Sequence, residues 1–206
     1  MPYGYLGQNT PNQTVANSGV FSITDVAELQ SQGKLGGSLE LIAQETISSG
    51  SQIIFTDIKE TKFDVHFLEI INFQPSTDAR DVEIRFYESG VEESASVYQY
   101  AYQYGTSTGT FDENKSTGNT HIRGTINVGN ATNEGGNSYC YFYNLGNSSK
   151  YSFQTMHCSM INDSGQFLMV FGGGVLPQAS TVDQIKLYVS SGTCDLTAKL
   201  YGVKQI

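Results

Sequence analysis

The sequence predicts an all-β fold, namely a single antiparallel β-sandwich of jelly-roll type, preceded by a short N-terminal extension that contains one small helix. Three observations lead to this prediction. From Ser38 onward, apolar and polar residues alternate with a period of two over roughly ten segments. Turn-forming Gly, Asn and Ser residues separate nearly all of these segments. The composition, with 13 Tyr, 11 Phe and 22 Gly, suits pleated strands joined by tight turns.

The N-terminal extension is expected to span residues 1–37, and the sandwich residues 38–206. The first half of the extension is polar and cannot build a core. Thr24 or Asp25 can cap the start of a helix of about two turns, which Gly33 can end. Two turns are not stable alone, so we expect this helix to pack against the sandwich or a neighbouring molecule.

The alternation also assigns side chains to strand faces. In the segment 63–73, one face is expected to carry four apolar residues: Val65, Phe67, Ile71 and Phe73. The clearest alternating strand places Val82, Ile84 and Phe86 opposite Glu83, Arg85 and Tyr87. Further along, Cys140 and Phe142 lie on the face opposite a row of tyrosines.

Charge and hydropathy exclude several classes of partner. The formal net charge is −9, and the few Lys and Arg residues are not clustered, so we expect no nucleic-acid partner. An anionic membrane surface is disfavoured for the same reason. No apolar run approaches the roughly 20 residues that span a bilayer, and residues 1–7 lack the pattern of a signal peptide. We therefore expect synthesis in the cytoplasm without secretion.

Motifs that carry chemistry are absent from the sequence. There is no G-x-S-x-G elbow, Walker loop, H-E-x-x-H or EF-hand loop, so no catalytic residue, metal site or cofactor is predicted. The glycines at 172–174 are expected to form a bulge or turn. Asp64 and His66 share a strand face about 7 Å apart, a spacing open to a metal or acid–base pair or to an ordinary hydrogen-bonded histidine.

The three cysteines are expected to be small buried residues with free thiols. Their number is odd, their spacing is wide, and no C-x-x-C pair is present. A reducing cytosol fits such a chain best. The positions are Cys140, Cys158 and Cys194.

Two tyrosine ladders are the main candidates for a functional surface. Alternate positions of two strands carry them: Tyr98, Tyr100, Tyr102 and Tyr104 on the first, and Tyr139, Tyr141 and Tyr143 on the second. Tyrosine faces of this kind occur as glycan-stacking platforms, as subunit interfaces and as the core face of a sandwich. Exposed, coplanar rings beside loop carboxylates would favour glycan binding, whereas buried rings would favour a structural role.

Several segments resemble small tail-fibre-like or decoration-like structural proteins of marine and other tailed bacteriophages. They include YGYLG at 3–7, NSGVFSI at 17–23, FDVHF at 63–67, VEIRF at 82–86 and AKLYGVK at 198–204. The resemblance covers nearly the whole chain. It implies a jelly-roll sandwich, often oligomeric and displayed on the virion surface, and it implies no catalytic residue.

The sequence therefore predicts a non-enzymatic virion structural protein, displayed as a decoration, collar or short-fibre component. Other virion proteins of the capsid, collar or tail are the expected partners, together with further copies of the chain. Oligomers are symmetric by default, and for an appendage of this fold we expect a trimer. The expected assembly anchor comprises Tyr3, Tyr5, Leu6, Val20, Phe21 and Ile23. A module that binds a host-surface glycan is the alternative. A depolymerase enzyme fits less well, because no paired carboxylates stand out.

Overall fold

The computed structural model describes residues 23–31 and 38–204, and it confirms the all-β sandwich. One helix, α1, spans Ile23–Ser31, and the residues from Leu39 onward form one compact unit. The strands of that unit are β1 (Leu39–Gly50), β2 (Gln52–Phe55), β3 (Val65–Pro75), β4 (Val82–Glu88), β5 (Val91–Glu92), β6 (Tyr98–Thr106), β7 (Phe111–Asn119), β8 (Ile122–Arg123), β9 (Gly136–Tyr143), β10 (Ser152–Ile161), β11 (Phe167–Leu176), β12 (Val182–Val189) and β13 (Cys194–Val203).

The strands form two antiparallel sheets whose order is that of a jelly roll. The large sheet has the order β1-β13-β3-β9-β10-β11-β6-β7, and the small sheet has the order β2-β12-β4-β5, with β8 also paired to β4. The chain alternates between the sheets through β1, β2, β3 and β4, and returns through β8, β9, β12 and β13, which is the path of two Greek keys. The remaining strands of the large sheet, β10, β11, β6 and β7, extend it beyond β9.

Strand alternation builds the core between the two sheets. Val82, Ile84 and Phe86 of β4 are fully buried, whereas the polar residues between them face outward. Cys140 and Phe142 of β9 are fully buried as well, on the face opposite the tyrosines of that strand. The predicted in-and-out patterns of β4 and β9 are therefore confirmed.

The predicted face of β3 is wrong at its end, because the strand contains a β-bulge. Asn72 has a left-handed φ of 54°, and the pairing of β3 with β9 shifts register between Ile70 and Phe73. One extra residue reverses the side-chain parity beyond it. Phe73 therefore lies in the core, while Phe67 and Ile71 stay on the outer face of the large sheet.

The glycines at 172–174 form neither a turn nor a bulge but lie within β11, in regular pairing with β10 and β6. Their neighbours approach closely enough to exclude any side chain. A Cβ atom on Gly172 would come within 2.4 Å of the Ala101 carbonyl oxygen, and one on Gly173 within 2.3 Å of the Gln154 carbonyl oxygen. Close backbone approach, and not backbone conformation, explains these glycines.

Helix α1 begins at Ile23, so neither Thr24 nor Asp25 stands at its N-cap as expected. Ile23 is 83% exposed on this helix. Within residues 23–31 and 38–204, no helix is long and apolar enough to cross a membrane.

Candidate functional site

The first tyrosine ladder lies mainly in the core. Tyr98, Tyr100 and Tyr102 of β6 are buried between the sheets, and only Tyr104 at the end of the row is partly exposed. The Tyr98 hydroxyl accepts a hydrogen bond from the Phe86 backbone N–H at 2.9 Å and donates to the Glu93 carbonyl at 3.1 Å. Burial raises the pKa of Tyr98. Of the arrangements left open for this ladder, the structure favours the core face.

The second ladder faces away from the core. Tyr139, Tyr141 and Tyr143 of β9 lie on the outer side of the large sheet, and Tyr139 is 43% exposed. Directly opposite them on β10 are Phe153, paired with Tyr143, and His157, paired with Tyr139. The ladder is therefore part of a surface that continues onto the neighbouring strands.

We call this surface the aromatic face, and define it as the outward side chains of the six adjacent strands β13, β3, β9, β10, β11 and β6. Its large apolar or aromatic members are Phe67, Ile71, Tyr139, Tyr141, Tyr143, Phe153, Phe167, Met169, Phe171 and Tyr201. Phe153, Phe167 and Phe171 are each between 44% and 48% exposed. Of these aromatic-face residues, the sequence had singled out only the β9 tyrosines as a functional surface.

The rings of the aromatic face are tilted against one another and do not form a flat platform. Phe67 is the centre of the cluster, with its ring centroid 4.9 Å from that of Tyr141 and 5.9 Å from that of Tyr201. The rings of Tyr139 and Tyr141 are nearly perpendicular, at 82°. Edge-to-face packing of this kind stabilises the cluster, and leaves a corrugated surface.

Charge is sparse on the aromatic face, with two carboxylates and one ammonium group. In its six strands, the charged side chains at outward positions are Glu69, Asp195 and Lys199. Lys199 lies directly opposite Glu69 in the pairing of β13 with β3. The Tyr201 hydroxyl donates a hydrogen bond to the Glu69 carboxylate at 3.2 Å. The aromatic face is therefore almost neutral, although the whole chain has a net charge of −9.

A depression of about 300 Å³ opens on the aromatic face beside the β-bulge of β3. Its apolar walls come from Phe67, Tyr139, Phe167 and Met169, and its polar lining from Glu69, Asn137, His157 and Ser159. The Tyr139 hydroxyl lies 3.1 Å from Nδ1 of His157, and the side-chain oxygen Oδ1 of Asn137 accepts a hydrogen bond from the Asn72 backbone N–H at 2.9 Å. Aromatic rings beside amide and carboxylate groups can hold a small polar molecule such as a sugar ring.

The outer face of the small sheet has the opposite character, because ion pairs cover it. Glu92 bridges two cations, at 2.8 Å from Nη1 of Arg85 and 3.0 Å from Nζ of Lys186. Arg123 of β8 pairs with Asp81 and, at 3.4 Å, with Glu83. The alternation of β4 predicted that Glu83 and Arg85 face outward. It could not predict their ion-pair partners, which are Arg123 on β8 and Glu92 on β5.

Burial within this charged cluster shifts several pKa values. Burial raises the pKa of Glu83, whose carboxylate lies 3.2 Å from Nε2 of His121. Burial, assisted by the positive charges of Arg123 and Arg85, lowers the pKa of His121 to about 4. In Glu92, burial opposes ionisation, but hydrogen bonds from Arg85 and Lys186 outweigh it and lower the pKa. These groups neutralise one another within the molecule.

The remaining candidate residues lie apart from the aromatic face. His66 is buried, and its Nε2 lies 2.8 Å from the Ile58 carbonyl oxygen, so it is an ordinary hydrogen-bonded histidine. No group of three or more metal-ligating side chains occurs within the part of the chain that the structure describes. The cysteines are buried and free, as predicted. Of the expected anchor residues, Ile23 lies on α1, and the others fall outside the described residues: Tyr3, Tyr5, Leu6, Val20 and Phe21.

Comparison with known proteins gives no relative for this chain: no family model, curated protein or solved structure matches it.

Proposed function

We propose that this chain is a non-enzymatic structural protein of a bacteriophage virion, displayed on the particle as a decoration, collar or short-fibre component. The observation that carries the proposal is the aromatic face, in which Phe153, Phe167 and Phe171 are each nearly half exposed. Soluble proteins rarely expose a large contiguous apolar surface unless it contacts a partner. Contact with neighbouring subunits of a particle would remove these rings from water.

Two further observations support a place on a particle. The segments at 3–7, 17–23, 63–67, 82–86 and 198–204 resemble those of phage tail-fibre-like and decoration-like proteins. The jelly-roll order of the sheets is a fold that capsid and lectin domains share. Fold alone does not specify function, so the aromatic face carries more weight than the topology.

The proposed attachment uses residues 1–37 as a tether and residues 38–206 as the displayed sandwich. The motivating observations are the polar composition of the first half of the extension and the separate compact unit that begins at Leu39. A chain that lacks residues 1–20 is expected to fold and to be lost from particles. Its normal incorporation would contradict the tether.

The experiment that tests the function is immunogold electron microscopy of purified particles with an antiserum against the recombinant chain. We expect gold at regular positions on the shell, collar or fibres. Particles without label, combined with recovery of the chain only from the soluble lysate, would overturn the proposal. Particles treated with pre-immune serum provide the control.

A second candidate function, binding of a host-surface glycan, rests on the depression beside the β-bulge. Its volume of about 300 Å³ and its mixed lining of Tyr139, Glu69 and Asn137 suit a single sugar ring. A glycan array probed with the full chain tests this function. Binding that Tyr139→Ala removes and Tyr151→Ala retains would support it, because Tyr151 is 48% exposed but lies outside the depression.

A further inference from the structure

We infer that the partner of the aromatic face is a second copy of this chain, packed face to face about a two-fold axis. This inference rests on the proposed function, since it names the partner of the same surface. Three properties of the aromatic face argue for a second copy: its area, its charge and its occurrence as one continuous patch.

The area of the aromatic face matches the requirement of a stable dimer. With strands about 4.8 Å apart and a rise of about 3.3 Å per residue, six strands of eight residues cover about 29 by 26 Å, or about 750 Å². A standard stable interface buries about 800 Å² on each partner. Without β6, whose outward residues are Gln99, Ala101 and Gln103, the remaining five strands still cover about 630 Å². This area lies within the range of about 600–1,000 Å² per partner of specific interfaces.

The charge of the aromatic face permits contact between identical molecules. A chain of net charge −9 repels its own copies over most of its surface. On the aromatic face, however, Glu69 lies directly opposite Lys199, and Asp195 is the one further charged residue among the outward positions of its six strands. Tyrosine and phenylalanine are enriched at the centres of protein interfaces, where charged residues are depleted.

Two other surfaces of the sandwich are poorly suited to self-association. The outer face of the small sheet carries charges that are already paired, such as Arg85 with Glu92. The edge strand β7 of the large sheet carries Asp112, Glu113 and Lys115, and charged residues on an edge strand hinder pairing with another sheet. Self-association is therefore expected at the aromatic face.

A single patch specifies a dimer in preference to the trimer that the sequence led us to expect. A two-fold contact is isologous, so each molecule presents the same patch to the other. A three-fold ring needs two different complementary surfaces on every molecule. The aromatic face is one continuous surface on six adjacent strands, which corresponds to the isologous arrangement.

Sedimentation velocity of the full chain between about 1 and 50 µM tests the inference, because interfaces of standard size have dissociation constants in the µM range or below. We expect a species of 45 kDa, twice the chain mass of 22.5 kDa. The test variant is Phe153→Asp with Phe171→Asp, which adds charges at two exposed positions of the face. Each charge enters a two-fold interface twice, so we expect the dissociation constant to rise at least about 100-fold.

The matched control is Val91→Asp, which places the same charge at a 70% exposed apolar position on β5 of the small sheet. We expect it to remain dimeric, and we expect all variants to keep the circular-dichroism spectrum of the wild type. A chain that lacks residues 1–22 should dimerise like the full chain. Loss of the dimer on that deletion alone would assign the contact to the N-terminal segment and overturn the inference.

Three results would contradict the two-fold dimer. They are a monomer of 22.5 kDa at 50 µM, a trimer of 67.5 kDa, and a dimer that the double aspartate variant leaves intact. A monomer that nevertheless decorates particles in the immunogold experiment would refute the dimer and leave the proposed function standing. A dimer that is absent from particles would support the two-fold dimer and refute the proposed function.

Discussion

Replacement of Tyr98 by phenylalanine removes one oxygen atom from the centre of the fold. The Tyr98 side chain is fully buried, and its hydroxyl connects two segments by accepting from the Phe86 N–H and donating to the Glu93 carbonyl. The Glu93 N–H in turn donates to the Phe86 carbonyl at 2.9 Å. The Tyr98 hydroxyl and the Glu93 N–H thus bond to the backbone N–H and carbonyl of Phe86 in the way that a neighbouring strand would.

The expected cost follows from the groups that lose their partner. Phenylalanine keeps the ring packing but leaves the buried Phe86 N–H without an acceptor, which costs about 1–3 kcal/mol. For a domain of this size, each kcal/mol lowers the melting temperature by about 2–4 °C. We therefore expect Tyr98→Phe to melt about 2–12 °C below the wild type.

Urea unfolding monitored by circular dichroism measures this change as a shift of the midpoint at constant slope. The matched control is Tyr151→Phe, which removes a hydroxyl from a side chain that is 48% exposed. The control should stay within about 0.5 kcal/mol of the wild type. A Tyr98→Phe protein as stable as this control would refute the assignment of the first tyrosine ladder to the core.

Three further predictions concern backbone approach, protonation and thiol reactivity. Gly173→Ala should lower the unfolding free energy by at least about 1–3 kcal/mol, because the new methyl group would overlap the Gln154 carbonyl. Gly135→Ala should change it little in the same urea assay, because the nearest atom to its new methyl group, the Phe73 carbonyl oxygen, is 3.5 Å away. Burial lowers the pKa of His66 in the folded state, so the unfolded chain binds more protons than the folded chain below about pH 6.5. The urea midpoint of the wild type should therefore fall as the pH drops through this range. The midpoint of His66→Gln should fall less steeply. The cysteine thiols should not react with Ellman's reagent in the native protein and should all react in guanidinium, because burial raises the pKa of each: Cys140 to about 12, Cys158, and Cys194 to about 11.

Local alternation predicted much of the fold, because side-chain parity within a strand depends on the nearest residues alone. The inward positions of β4 and β9 were correct for this reason. The face of β3 was wrong beyond Ile71, because the bulge at Asn72 adds a residue that no hydrophobic pattern reveals. The glycines at 172–174 were misassigned, because the close approach of β10 and β6 is a long-range property.

The candidate surface could be predicted only in part. The sequence identified both tyrosine ladders but could not tell which one faces the core. Alternation shows which residues of a strand share a face, but it does not show whether that face is turned toward the core or toward solvent. Phe153 and Phe171 join Tyr139 only through the pairing of β9, β10 and β11. Their exposure depends on the small sheet, which does not cover that side of the large sheet. The alternating Phe167, Met169 and Phe171 of β11 were the available signal for an apolar outer face.

The central claim is that the aromatic face is an assembly interface of a virion structural protein. A cryo-electron microscopy reconstruction of the native particle, with this chain located in the map, tests it most directly. We expect symmetric copies in which Phe153, Phe171 and Tyr139 are covered by a neighbouring subunit. A map in which the chain is present while these side chains face solvent would contradict the claim.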